Sequence, residues 1–224
     1  MEGDMDCLAQ KIARMYRIVF LASVSLLVFA CAGKKSSLPY YNTPDFTPQF
    51  ISENEAVEKI NHTINDFSFT DQHNQLVSQK EIEGKIHVAN FFFTSCGFIC
   101  PKMTNNMKLV QKEFRNDQQV DILSFTVTPW IDDVKKLNEY AGLNEITSSN
   151  WHLLTGNKAS IYQLARQSYF AEEELGFTKD STEFLHTEHF LLVDKTKRIR
   201  GIYNGTLELD VRQLIDDIKV LKRE

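Results

Sequence analysis

Cysteine, proline and glycine are all scarce here, at 4, 5 and 9 of 224 residues. Four cysteines are too few for a disulfide scaffold of this size, so each needs its own account. The longest charge-free apolar run, residues 18–30 (IVFLASVSLLVFA), is thirteen residues long. That falls short of the roughly 20 a membrane-spanning helix requires. An excess of positive charge is also missing. Lysine and arginine total 25 against 30 acidic residues, for a net charge of −5. A nucleic-acid ligand would find no global electrostatic attraction, and none is expected. No internal repeat or low-complexity tract occurs after the first 54 residues. What is present is ordinary for a folded chain: 42% hydrophobic and 25% charged residues exclude a disordered polymer, a collagen and a coiled-coil rod. Sixteen phenylalanines point to an aromatic core. The length suits one domain plus a tail.

The run 18–30 has the length of a secretory signal core, with Arg14 and Arg17 as its positive flank. Val28-Phe29-Ala30-Cys31 follows the pattern of a bacterial lipobox, although Phe29 fills a slot that usually holds a small residue. Cys31 is therefore the expected lipidation site and the first residue of the mature protein. Glu2, Asp4 and Asp6 are unusual ahead of an export core, and a start at Met15 gives a cleaner signal, leaving Cys7 outside the product. The expected organisation is a signal peptide over 1–30, a lipidated tether over 31–58 and a folded domain over 59–224. The tether assignment rests on a polar, proline-containing stretch without period. The domain would lie outside the cytoplasm, anchored to a bacterial membrane and facing the periplasm.

Within the domain the pattern alternates. Residues 67–78 read as a hairpin with turn residues Asp71 to Asn74. Lys85–Phe93 reads as a buried strand from its continuous apolar run. Pro101–Arg115 has Met103, Met107, Val110 and Phe114 at helical spacing. A strand over 120–127, a helix over 131–140, a strand over 151–154 and a helix over 158–167 follow. Residues 190–193 and 199–203 pair across a turn, and an amphipathic helix over 209–221 closes the chain. This order is that of an α/β, thioredoxin-like fold. Its central mixed sheet is flanked by helices, with an extra N-terminal hairpin and an inserted strand–helix unit.

Cys96 and Cys100 lie between a strand and a helix, in FFFTSCGFICPKMT. Pro101 suits a first helical turn, where its missing N–H has no partner. Both sulfurs are expected near a helix N-terminus, whose partial positive charge favours thiolate. Thiolate binds metal and also attacks disulfides. The C-x-x-x-C spacing is wider than the C-x-x-C of dithiol oxidoreductases and suits two sulfurs around a soft ion. It still permits a disulfide, but so short a loop would add little stability. Two thiolates need a further ligand. His87 and His152 fall within strands and read as packed residues. His62 and His73 fall in surface-type segments. His186 and His189 precede a core strand, in LHTEHFLLVD, and the residues alone do not choose between them.

FFFTSCGFICP, VDILSFTVTP, NWHLLTG and HTEHFLLVDKTKRIRGIYNG together resemble the Sco/SenC family, the copper chaperones of cytochrome c oxidase assembly. The resemblance spans about residues 60–222. It implies a thioredoxin-like fold and a copper site of two cysteines and one histidine, carried here onto Cys96, Cys100 and His186. Gly97-Phe98 stands where many members of that family have Pro-Asp, and Thr128-Pro129 where many have Asp-Pro, so two carboxylates common near the site are missing. Thiolates select Cu(I), and imidazole accepts both oxidation states. The resemblance implies one copper ion per chain, delivered to the copper A centre of oxidase subunit II or to another copper protein. Keeping that centre's thiols reduced is the other role it allows, and neither is enzymatic turnover. The competing reading is an extracytoplasmic thiol–disulfide oxidoreductase in which Cys96 and Cys100 cycle without an essential metal.

Overall fold

A computed structural model describes residues 37–171 and 187–224. The lipidation site Cys31 and the candidate ligand His186 lie outside the described residues. Among the described residues, no helix is long and apolar enough to cross a membrane.

The chain opens with two short strands, β1 (Tyr40–Tyr41) and β2 (Pro48–Gln49), and helix α1 (Glu53–Lys59). Strands β3 (Ser68–Thr70) and β4 (Leu76–Ser78) form the expected hairpin, followed by the single turn α2 (Gln79–Ile82). Then come β5 (Ile86–Phe92), α3 (Ile99–Phe114), β6 (Val120–Thr126), α4 (Val134–Leu143), β7 (Trp151–Leu154) and α5 (Lys158–Gln167). Strands β8 (His189–Val193) and β9 (Ile199–Asn204) and helix α6 (Glu208–Leu221) complete it. The main sheet is ordered β2-β1-β9-β8-β5-β6-β7. β5, β6 and β7 are parallel, and β8 runs antiparallel to both β5 and β9. The mixed sheet is the one expected.

Every side chain of β5 and β6 is buried, which explains their nearly continuous apolar sequence. Alternation sorts them onto two cores. Val88, Phe92, Phe190 and Leu192 face α3 and α6 with Met103, Met107, Leu214 and Ile218. Ala89, Phe91, Leu191 and Val193 face the other layer with Phe69, Phe125, Tyr162 and Tyr169.

The stretch expected to be a tether is corrected from residue 37 onward. β1 pairs with β2 and with Ile199 of β9. Arg200, buried in β9, donates to the carbonyls of Leu38 at 2.9 Å and Pro39 at 3.1 Å. Its guanidinium lies 3.9 Å from the centre of the Tyr40 ring. Helix α1 starts from a capping box between Ser52 and Glu55 and buries Ala56. The contacts that order this segment come from distant residues, so no local period announces it.

Candidate metal and thiol site

The parallel strands β5 and β6 end side by side, and the chain turns from β5 into α3 through Phe93-Thr94-Ser95-Cys96-Gly97-Phe98. The helix begins two residues before the position expected from Pro101. Its N-cap, Phe98, has no side chain able to accept a hydrogen bond. The Cys96 sulfur takes that place, accepting from the Cys100 N–H at 3.4 Å. Both cysteines are free thiols.

Their environments differ. Burial would raise the Cys96 thiol. Hydrogen bonds from the backbone N–H groups of Cys100, Phe98 and Ile99, and from the Cys100 side chain, outweigh it, and its pKa lies below the ordinary value. Cys100, 4% exposed, is pushed up to about 12, chiefly by burial and further by the neighbouring Cys96. The helix N-terminus thus favours thiolate at one sulfur. Both sulfurs lie near the helix N-terminus, as expected, but Cys100, in the first turn of α3, is buried in the core cluster that holds Met103 and Phe92.

Asp132 was legible only as an acidic residue near a helix start. The N-cap of α4 is Asp133, which accepts from the Lys136 N–H at 2.8 Å. Asp132 instead turns inward and is fully buried. Its carboxylate accepts from the Thr94 N–H at 3.1 Å, the Thr94 hydroxyl at 2.5 Å and the Thr128 hydroxyl at 2.9 Å, and from the Thr126 hydroxyl. It ties the ends of β5 and β6 together two residues before Cys96. The available signal was three threonines at strand ends facing one aspartate.

The histidines separate. His87 is buried and hydrogen-bonded to the Tyr169 hydroxyl at 2.9 Å. His152 contacts Asp71 at 3.2 Å, on β7. His62 stacks on Phe170 at 4.0 Å and meets the Ser168 carbonyl at 2.8 Å. Both strand histidines are packed, as expected. His62 is less of a surface residue than its segment implied. His189 opens β8 with its ring edge-on to Phe46, which packs on the core opposite the cysteines. Among the described residues, no three His, Cys, Asp or Glu side chains converge as a metal-holding group.

The antiparallel register of β8 against β5 pairs Ala89 with Leu191 and His87 with Val193. The start of β8 therefore lies at the end of β5 from which the cysteine loop departs. Gly205 fixes that start by donating to the Glu188 carbonyl at 2.7 Å. A Cβ at Gly205 would come within 2.5 Å of the Phe190 ring, so only glycine fits.

A mixed sheet with a dithiol between a parallel strand and the helix that follows it defines a thioredoxin-like protein. Comparison with known proteins narrows the class: the SCO1/SenC family model matches residues 55–223, and the chain belongs to that family. It is 30% identical over 164 residues to a SCO1 protein homolog of Bacillus subtilis (strain 168), covering 72% of this chain and 84% of that protein. A structure of BsSco, described as a member of the Sco family of cytochrome c oxidase assembly proteins with a disulfide switch, is 29% identical. It superposes with a TM-score of 0.61 over 73% of this chain and 95% of that one. The copper-bound ScoI of Bradyrhizobium japonicum, at 23% identity, has the same fold, with a TM-score of 0.56 over 71% of this chain and 99% of that one.

Proposed function

We propose that this chain is a copper-binding assembly protein, holding one copper ion on Cys96, Cys100 and His186. It would deliver the ion to the copper A centre of cytochrome c oxidase subunit II or keep that centre's thiols reduced. The observation that carries this reading is the dithiol beside the start of β8, the strand that His186 precedes. The donor set fits copper: two sulfurs supply soft ligands, and an imidazole completes a site that leaves a side open for transfer. Alternation supports His186 over His189. Phe190 faces the cysteine layer and His189 the opposite one, which sets His189 apart from the two sulfurs. Copper binding by ScoI and the oxidase-assembly role of the Sco family in the BsSco description point the same way.

Copper titration of the reduced protein tests the reading. Cys96→Ser, Cys100→Ser and His186→Ala should each weaken binding by more than the roughly 10–100-fold typical of residues that only orient a ligand. His189→Ala should leave binding near wild type. The reverse pattern for the two histidines would move the third ligand to His189. We further propose a lipid anchor on Cys31, placing the domain outside the cytoplasm against a bacterial membrane. Mass analysis of the membrane-bound protein should find acylated Cys31 as its first residue, and an unmodified mature N-terminus would exclude it.

A second reading is favoured by the unequal thiols. An accessible sulfur of lowered pKa beside a buried one of raised pKa is an attacking and a resolving thiol. Catalytic reduction of insulin disulfides by metal-free protein, without His186-dependent copper binding, would establish this reading in place of the first.

A further inference from the structure

The turn between β1 and β2 points one side chain inward. Residues 43–47 are otherwise exposed, whereas Phe46 is half-buried and packs on the core layer opposite the cysteines. Its φ is 51°, in the left-handed region, where a turn usually places glycine or asparagine. Asp45 accepts from the hydroxyls of Thr43 and Thr47, the latter at 2.7 Å. The Phe46 N–H donates to the Thr43 carbonyl at 3.0 Å. These bonds hold a bulky residue in a conformation that costs free energy, and the contacts of its ring offset that cost.

The Phe46 ring meets three others edge-on. Tyr41 lies at 6.3 Å, Phe170 at 6.0 Å and His189 at 6.3 Å between ring centres. Edge-to-face pairs at such separations attract beyond the area they bury. Phe170 is left-handed as well, also at φ 51°, and stacks on His62 at 4.0 Å. Two strained phenylalanines thus meet, and one of them rests on the residue that opens β8. The backbone of that strand start is held along β9. The Glu188 carbonyl accepts from the Gly205 N–H at 2.7 Å, and the Asn204 amide donates to the Glu188 carboxylate at 2.6 Å. Phe46 bears instead on the His189 side chain, from the layer opposite the cysteines. Residues 37–54 precede the stretch matched by the family model, so this contact comes from the chain's own N-terminal segment.

We propose that Phe46 is a positioning residue for the metal site: its ring clamps His189 and so fixes the start of the strand that His186 precedes. His189 lies three residues after His186, at most about 10 Å of chain. A strand start that shifts therefore carries the imidazole donor with it. A ligand set has to be held within about 0.5 Å of its productive geometry by groups that packing has locked. The Phe46 contact supplies such a lock from the layer the cysteines do not occupy. The proposal rests on the copper reading and names a residue outside the ligand set that orients the third ligand.

The test uses the full, reduced chain. Phe46→Asn removes the ring, and asparagine accepts a left-handed φ, so the turn is kept. Copper affinity should fall about tenfold, the scale for a residue that orients a ligand. The thiolate-to-copper charge-transfer spectrum should change with it. In the metal-free variant, amide exchange over residues 187–190 should rise at least about tenfold, with β5 unaffected. Phe46→Tyr keeps the ring and should retain wild-type affinity and spectrum. Ser52→Ala removes the N-cap of α1 in the same segment and touches none of the rings. It should lower the melting temperature and leave copper binding as in the wild type. Unchanged affinity and spectrum in Phe46→Asn overturn the proposal and leave the copper reading standing. A loss in Phe46→Tyr or Ser52→Ala equal to that in Phe46→Asn also overturns it, because the effect would then not belong to the ring. Wild-type protein that binds no copper refutes the copper reading itself, and this proposal with it.

Discussion

Cys96 and Cys100 are four residues of sequence apart, yet their chemistry diverges because one lies before the helix and the other inside it. Burial dominates at Cys100, and hydrogen bonds from the helix start dominate at Cys96. Asp132 anchors the root of the loop that leads to that helix start, through Thr94. Removing its carboxylate would orphan the Thr94 N–H and three hydroxyls at the root of the cysteine loop. Asp132→Ala should therefore lower copper affinity by about tenfold, the scale for a residue that orients a ligand rather than supplying one. It should also change the thiolate-to-copper charge-transfer spectrum and the rate of Cys96 alkylation. A fall in melting temperature with neither of these altered would mean that Asp132 holds the fold and not the site.

The elements that could be read from sequence were those whose burial pattern is local. β7 and α5 fall on their expected residues, and β5, β6, β8, β9 and α6 within one or two. Their side chains meet the core on a regular period of two or 3.6 residues. The site was half legible: strand, cysteines and following helix were plain, whereas the inward turn of Asp132 and the inequality of the thiols needed the third dimension. The segment 37–60 was missed although Ser52-x-x-Glu55 carried a capping-box signal, because its two-residue strands have no period. Arg200 holds it from the far end of the sequence, bonding two carbonyls, Asp194 at 3.1 Å and Glu224 at 2.9 Å. Arg200→Met would leave Asp194 buried without its cation, a loss of about 3–5 kcal/mol when one partner of a buried pair is removed. Denaturant unfolding should report that loss, and proteolysis should open the segment 37–60 before the rest. A variant within about 0.5 kcal/mol of wild type, the range of an ordinary surface substitution, would show that the segment packs without this clasp.

Stability of the whole molecule should carry a pH signature that originates far from the thiols. His87 sits fully buried on β5, on the layer opposite the cysteines, and burial depresses its pKa from 6.5 to about 3. Above pH 6.5 the ring is neutral in both folded and unfolded chains and contributes no pH dependence. Below it the unfolded chain takes up a proton that the folded chain refuses, so stability falls as pH falls. The slope from this one group is about 1.4 kcal/mol per pH unit until the folded pKa is reached. Between pH 7.5 and 5 it amounts to about 2 kcal/mol, a sizeable share of the 5–15 kcal/mol that holds a typical domain. His87→Gln removes the titrating ring, and its amide can still reach the Tyr169 hydroxyl. The variant should start less stable at pH 7.5, for the ring packing it loses, and should then lose about 2 kcal/mol less than wild type on acidification to pH 5. Urea unfolding of both proteins at the two pH values measures the difference. Equal losses in the two proteins would mean that His87 is protonated inside the fold and that its bond to Tyr169 accommodates the charge.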